Sequence, residues 1–358
     1  MTNTALVLDH KPLILEVLSE HFSEASLERT LGLGEERVPW RVWDEALYGP
    51  LSDFLSRPGK EFRGRLVSMA WELAGQKSSP PPELALVVEV LHAGSLIVDD
   101  IEDDSSYRRG ELALHKKWGL PRALNAGSWL YFWPDALLER MQLAPPIELG
   151  VRRAIDRTLL SAHHGQALDL STRVFDLTQS EVPDVVSVTT RLKTGMLMQL
   201  AASLGAIAAG GPRQVTQALA RFGMKLGAGL QMLDDLGGIV SVERCHKGHE
   251  DLTSARPTWL FAERPRSSTA RRINACDGVP RRSRNESSTP RRSPKSSVTE
   301  WVAWVASASR RTCGAPSRWG ACSAMRRRWW TSKRDRTARE KLWLKERVET
   351  TQSRGAPP

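Results

Sequence analysis

Residues 87–103 read Val-Val-Glu-Val-Leu-His-Ala-Gly-Ser-Leu-Ile-Val-Asp-Asp-Ile-Glu-Asp. The run up to Val98 is apolar nearly all round, the pattern of a helix placed centrally in a large bundle. Continued as a helix, Asp99 and Asp103 stand four apart and project from one face, with Asp100 beside them. Carboxylates packed at the end of an apolar segment repel one another unless something positive sits between them. A hard divalent cation held by a few carboxylates, with water and phosphate filling its other positions, is the usual solution, and Mg2+ is the typical ion. Arg108-Arg109-Gly110 follows and offers donors for the same phosphates. The competing reading is a solvated acidic turn, and this stretch alone leaves both open.

Working outward, Gln231-Met-Leu-Asp-Asp235 forms a second acidic pair, again read as the end of an apolar helix. Gln231 and Asp235 share a face, with Asp234 one position round. A helix C-terminus disfavours acid unless it is compensated, and Lys247 and Arg256 are the nearby bases. Two acidic helix ends suggest facing helices that offer carboxylates to one cavity. Between them lie Gln166 and Asp169 in an apolar context, and Lys193-Thr194-Gly195 opens an apolar run; upstream, Pro58-Gly59-Lys60 precedes Arg63. Singly, such residues are unremarkable: His92 on an apolar helix is more often a satisfied core residue than a ligand. The joint pattern is carboxylates for metal and Lys/Arg groups for phosphate.

Apolar residues recur at helical spacing in Leu13–Leu18, Leu66–Leu73, Leu84–Val98, Ile155–Leu170, Val185–Ala208 and Val215–Leu236. Breakers fall between them at Arg57-Pro58-Gly59, Ser78 to Pro82, Pro145-Pro146 and Gly210 to Pro212. No sustained strand alternation occurs, so the fold class is all-α, a large helical bundle. Gly195 to Gly211 is the most apolar stretch but is short for a membrane span and reads as a buried helix. Met1 to Asp9 lacks the features of a secretory signal, and a soluble, cytoplasmic protein is expected.

The net charge of +10 hides two unlike parts. Residues 260–358 hold 24 Lys+Arg against 8 Asp+Glu, a net of +16, while residues 1–259 hold 27 against 33, a net of −6. Only ten of the last 99 residues are Leu, Ile, Val or Phe, too few for a core, yet six are Trp. Arg, Ser, Pro, Trp and Cys enrichment without period is what a GC-rich coding sequence gives in the wrong frame. A frame shift soon after Trp259 is therefore expected, with 1–259 the folded domain and 260–358 an irregular basic tail. A nucleic-acid-binding tail is the alternative, with Arg281-Arg282, Arg291-Arg292 and Arg326-Arg327-Arg328 on phosphates and Trp329-Trp330 stacking. No recognition motif accompanies that charge, and nucleic acid is not the expected partner. Cys245, Cys276, Cys313 and Cys322 show no zinc-type spacing.

Taken together, Pro-Gly-Lys-Glu-Phe-Arg (58–63), the 91–105 stretch with its Asp-Asp-Ile-Glu-Asp, Arg-Arg-Gly (108–110), Gly-Gln-Ala-Leu-Asp (165–169), Lys-Thr-Gly (193–195) and Gln-Met-Leu-Asp-Asp (231–235) resemble the trans-isoprenyl diphosphate synthases. The likeness is greatest to the geranylgeranyl diphosphate synthase type. The resemblance implies the isoprenoid synthase fold, antiparallel helices around a deep cavity, and a homodimer. It implies Mg2+-dependent head-to-tail condensation of isopentenyl diphosphate with an allylic diphosphate, three ions being held with substrate bound. Asp99, Asp100 and Asp103 would bind ions from one wall, and Asp234 and Asp235 from the other. Arg108, Lys193, Thr194, Gln231 and Lys247 would hold the allylic diphosphate; Lys60, Arg63, His92 and Arg109 would hold isopentenyl diphosphate. Small Gly94 and Ser95, one turn above Asp99, would leave the cavity floor open for a product of twenty carbons or more, and Gly94→Phe would shorten it.

The likeness stops near Phe261, and Gly238 stands where many relatives carry the last acid of the second motif. Without closing helices, the chain as written would fold poorly and be an impaired, synthase-like subunit. A terpene cyclase of the same fold is the other alternative. Its metal triad at four-residue spacing is absent, since neither Asp234, Gly238 and Val242 nor Asp235, Ile239 and Glu243 supply it.

Overall fold

The computed structural model describes residues 11–240 and 254–262, all within one compact unit, Met1–Asn285. Lys247, the four cysteines and nearly all of the basic tail lie outside the described residues. The chain opens with α1 (Lys11–His21), α2 (Glu24–Leu31) and α3 (Trp40–Trp43), then a π turn (Asp44–Tyr48) that leads into α4 (Gly49–Ser56). It continues through α5 (Phe62–Leu73), α6 (Pro82–Glu102), a two-stranded hairpin of β1 (Tyr107–Arg108) and β2 (Glu111–Leu112), and α7 (Leu114–Trp118). After these come α8 (Leu120–Met141), α9 (Pro145–Ser171), α10 (Val182–Thr190), a π turn (Arg191–Gly195), α11 (Met196–Ala208), α12 (Arg213–Val240) and α13 (Trp259–Ala262).

The all-helical expectation holds, and the core sits where the continuous apolar runs are. Helix α6 starts on Pro82, whose missing N–H costs nothing in the first turn. It buries Leu84, Leu86, Val87, Val88, Val90, Leu91 and Ile97. It packs along α8, while α11 packs between α5, α9 and α12. Helix α11 is the apolar Gly195–Gly211 stretch, and no described helix is long and apolar enough to cross a membrane.

Four features differ from the sequence reading. Helix α8 falls between the periodic segments, because Pro134 and Gly127 interrupt its pattern. The expected helix Val185–Ala208 is broken by the π turn at Arg191–Gly195. Helix α12 continues past the second acidic pair to Val240, so Asp234 and Asp235 lie within a helix and not at its C-terminal dipole. Gly94 does not face a cavity. A Cβ there would lie 2.8 Å from the Gly127 carbonyl oxygen and 3.0 Å from Leu130 Cβ, so Gly94 is the close-packing point of α6 on α8. A phenylalanine at 94 would wedge these helices apart rather than shorten a product.

Candidate active site

Two acidic segments meet in one cavity of about 1000 Å3, whose walls come mainly from α6, α8, α9, α12 and the π turn before α11. Arg63, His92, Asp99, Asp103, Arg108, Lys193, Thr194, Gln231, Asp234 and Asp235 all line it. Asp100, Lys60 and Arg109 do not. Lys60 is exposed, Arg109 lies with its guanidinium carbon 5.5 Å from the Phe54 ring centre, and Asp100 is fully buried behind the wall.

The carboxylates of the first acidic segment are each held by a side chain from another element. Lys193 Nζ donates to Asp99 Oδ1 at 2.9 Å and to Asp169 Oδ2 at 2.8 Å. Gln166 Nε2 donates to the same Asp99 oxygen at 3.0 Å and to Glu102 Oε2 at 2.6 Å. Arg108 Nε donates to Asp100 Oδ1 at 2.8 Å, and Asp100 Oδ2 has no hydrogen-bond partner. Arg256 bridges Asp103 and Asp169, with Nη1 at 3.1 Å from Asp103 Oδ2 and 3.3 Å from Asp169 Oδ2. Arg256 was expected to compensate the second acidic pair and compensates the first instead. Asp235 is satisfied by Gln231 Nε2 at 2.8 Å and by the Trp259 backbone N–H at 2.9 Å, while Gln231 Oε1 accepts from Thr194 at 2.8 Å. Among the described residues, no three His, Cys, Asp or Glu side chains are gathered tightly enough to hold a metal ion.

Local backbone explains why these groups converge. A Cβ on Gly165 would lie 2.5 Å from the Lys193 backbone nitrogen, so the glycine lets α9 sit directly on the π turn and brings Gln166, Asp169 and Lys193 together. π segments of this kind occur often at functional sites. Three non-glycine residues with positive φ adjoin the site: Asp104 (51°) just past the acidic motif, Arg109 (57°) in the hairpin and Ala255 (53°) beside Arg256. Each such residue costs about 1–3 kcal/mol and persists only where its surroundings fix it.

Electrostatics divide the groups. Burial works against ionising Asp99, but Lys193, then Gln166 and Arg108, outweigh it and hold its pKa below the ordinary carboxylate value. Burial raises Asp100 despite Arg108. Burial, reinforced by Arg63, Arg109 and Arg108, pushes His92 well below the ordinary histidine value, so it is neutral at pH 7. Burial lowers the pKa of Lys193, but Asp99 and Asp169 more than offset this and keep it charged.

Several contributors carried no sequence signal. Tyr131 and His163, with ring centres 5.4 Å apart, line the inner cavity. Buried Arg57, mentioned in the sequence only as part of a breaker, donates to Asp53 and to the Arg108 carbonyl. The four-residue Asp53–Arg57 spacing was the one available hint.

The sequence model of the family described as polyprenyl synthetase matches residues 44–289, thirty residues beyond the point where helical periodicity stops. A geranylgeranyl diphosphate synthase of Methanosarcina mazei is 32% identical over 193 residues, 54% of this chain and 58% of that protein. Geranylgeranyl pyrophosphate synthase 2 of Zymoseptoria tritici is 32% identical over 233 residues, 63% of this chain and 66% of that protein. This chain thus matches less than two thirds of either relative's length. The fold is that of geranylgeranyl pyrophosphate synthetase from Pyrococcus horikoshii, with a TM-score of 0.55 at 22% identity over 84% of this chain and 86% of that one. It is also that of heptaprenyl diphosphate synthase from Staphylococcus aureus, with a TM-score of 0.57 at 19% identity over 84% and 85%. With a family match that spans more than half of its length, the chain belongs to the polyprenyl synthetase family.

Proposed function

We propose that the protein condenses isopentenyl diphosphate with an allylic diphosphate to give a longer prenyl diphosphate and pyrophosphate. The observation that carries this reading is the meeting of Asp99 on α6 and Asp103 just past its end with Asp234 from α12 in one cavity that also holds Lys193, Arg108 and Arg63.

The donor type suits Mg2+, while among the described residues the carboxylates are paired with neighbouring side chains and not gathered around an ion position. The cavity presents hard carboxylate oxygens, and among the described residues six acids (Asp99, Glu102, Asp103, Asp169, Asp234, Asp235) face five bases (Arg63, Arg108, Arg173, Lys193, Arg256). A diphosphate would add negative charge where acid is already in excess, which calls for additional cations. Asp99, Asp103 and Asp234 would hold them, with Asp235 already committed to Gln231 and Trp259, and Asp100 acting through Arg108. Bound Mg2+ supplies neutralisation of the charge that collects on the leaving diphosphate.

The chain's own groups do the rest. Lys193 and Arg108 exchange carboxylate partners for diphosphate oxygens, and fixed cations in a site shielded from water favour charge separation there. Arg63 and neutral His92, which line the cavity where Lys60 and Arg109 do not, orient isopentenyl diphosphate so that its alkene faces the allylic carbon. The proton lost afterwards goes to pyrophosphate. Leu91, Leu96, Val98, Leu159 and Leu197 line the inner cavity and exclude water, which would otherwise capture the allylic cation.

Ser95 and not Gly94 is the small residue on the cavity side of α6, with Tyr131 and His163 also in the lining. This space suits an allylic chain growing to twenty carbons or more, and a homodimer is the proposed assembly. The test is incubation with labelled isopentenyl diphosphate, Mg2+ and dimethylallyl, geranyl or farnesyl diphosphate, followed by product sizing. The reading predicts labelled prenyl diphosphate that disappears with a chelator; no product from any acceptor would overturn it.

A further inference from the structure

Both oxygens of Asp103, a carboxylate proposed to hold a cation, are taken by one side chain. Arg256 Nη1 donates to Asp103 Oδ2 at 3.1 Å, and Arg256 Nη2 donates to Asp103 Oδ1. This two-toothed pairing is the strong form of carboxylate recognition by arginine. Nη1 also reaches Asp169 Oδ2 at 3.3 Å. Lys193, by comparison, donates to a single oxygen of Asp99. A divalent cation on Asp103 would therefore meet a fixed positive charge already seated on the oxygens it needs.

The segment that carries Arg256 is held at a local cost. Ala255 is a non-glycine residue in the left-handed region at φ 53°. Arg256 Nε and Thr258 Oγ1 are buried and have no hydrogen-bond partner, which forfeits solvation without return. The ion pairs to Asp103 and Asp169 offset these costs, together with the hydrogen bond from the Val174 N–H to the Ala255 carbonyl at 2.8 Å. The next residues are secured separately. Trp259 donates its backbone N–H to Asp235 Oδ2 at 2.9 Å and its Nε1–H to Thr190 Oγ1 at 3.0 Å, and Phe261 is buried. Residues 254–258 thus depend on Asp103 for their position, whereas Trp259–Ala262 (α13) does not.

We infer that Arg256 is a latch that competes with the divalent cation for Asp103, so that cation binding frees residues 254–258 while α13 stays docked. This rests on the function proposed above, in which these carboxylates take Mg2+. The apparent affinity of a ligand falls by the fraction of sites that are competent to bind it. A latch favoured about tenfold over its open form would raise the Mg2+ requirement about tenfold.

The test is calorimetric titration of the full-length protein with Mg2+ alone, alongside hydrogen exchange at the Val174 and Trp259 amides. Three variants, each checked for native unfolding temperature, accompany wild type. Arg256→Gln removes the competitor and should bind Mg2+ about tenfold more tightly. Arg256→Lys keeps the charge but lacks the fork that spans both oxygens, and should fall between the two. Arg173 also lines the cavity but donates to the Leu170 and Thr172 carbonyls and not to a carboxylate. Arg173→Gln should therefore stay within about twofold of wild type. In wild type, Mg2+ should speed exchange at Val174 and leave Trp259 protected. An unchanged or weaker Mg2+ affinity in folded Arg256→Gln, an equal gain in Arg173→Gln, or Val174 protection that Mg2+ does not alter would overturn the inference. If wild type takes up Mg2+ and frees Val174 yet forms no prenyl product, the functional reading fails and the latch stands. If product forms but Arg256→Gln binds Mg2+ as wild type does, the latch alone fails.

Discussion

His92 illustrates how single residues acquire a role from their surroundings. It sits on α6 in an apolar run, and burial together with Arg63, Arg109 and Arg108 keeps it neutral. In the unfolded chain it takes up a proton near pH 6.5. Its folded pKa is lower, so below that pH the unfolded state binds more protons. The associated stability is fully present above about pH 6.5 and declines as pH falls, by at most about 1.4 kcal/mol per pH unit. Urea unfolding of wild type and His92→Gln between pH 7 and 5 should show a falling stability in the former that is reduced in the latter; parallel curves would contradict this. At this scale the sequence was informative where spacing carries chemistry, as for Asp99, Asp103 and Asp234. It was silent for Arg57, whose meaning comes from a carbonyl 51 positions away. It misdirected for Gly94, because a helix period does not say which neighbour a small residue meets.

Among the elements, the junction of α9 with the π turn decides whether the site forms. Gly165→Ala would place a methyl 2.5 Å from the Lys193 backbone nitrogen. Overpacking of this kind costs about 1–3 kcal/mol, so the variant should unfold at lower denaturant and lose activity beyond its loss of stability. Unaltered stability and turnover would refute the close-approach argument. Under the proposed function, helix α8 would bound the growing chain. Tyr131, Leu159 and His163 line both the main cavity and an adjoining one of about 260 Å3. Tyr131→Ala should join the two and lengthen the prenyl product, which chromatographic sizing would reveal; an unchanged distribution would exclude Tyr131 as a boundary. Neither element was readable as such. A π turn differs from an α-helix by one hydrogen-bond step with no compositional signature, and Pro134 hid α8 from any periodicity.

For the molecule as a whole, the all-helical class followed from apolar residues recurring at helical spacing without strand alternation, and α6, α9, α11 and α12 follow those segments. What could not be read was convergence. Lys193 and Asp99 are 94 residues apart, and Arg256 and Asp103 are 153 apart, yet each pair is in contact. Only packing brings such groups together, which is why Arg256 compensates the first acidic segment and not the nearer second one. Helix α12 also exposes Phe222, Leu233, Leu236 and Val240, an apolar face larger than isolated surface residues would give. The central claim is that carboxylates from α6 and α12 serve a single diphosphate-condensing site. Its most direct test is the turnover of labelled isopentenyl diphosphate with Mg2+ in wild type, Asp99→Asn and Asp234→Asn, each checked for native folding. The account predicts that either substitution alone lowers kcat by about a hundredfold or more. A folded Asp99→Asn or Asp234→Asn protein that turns over at the wild-type rate would contradict it.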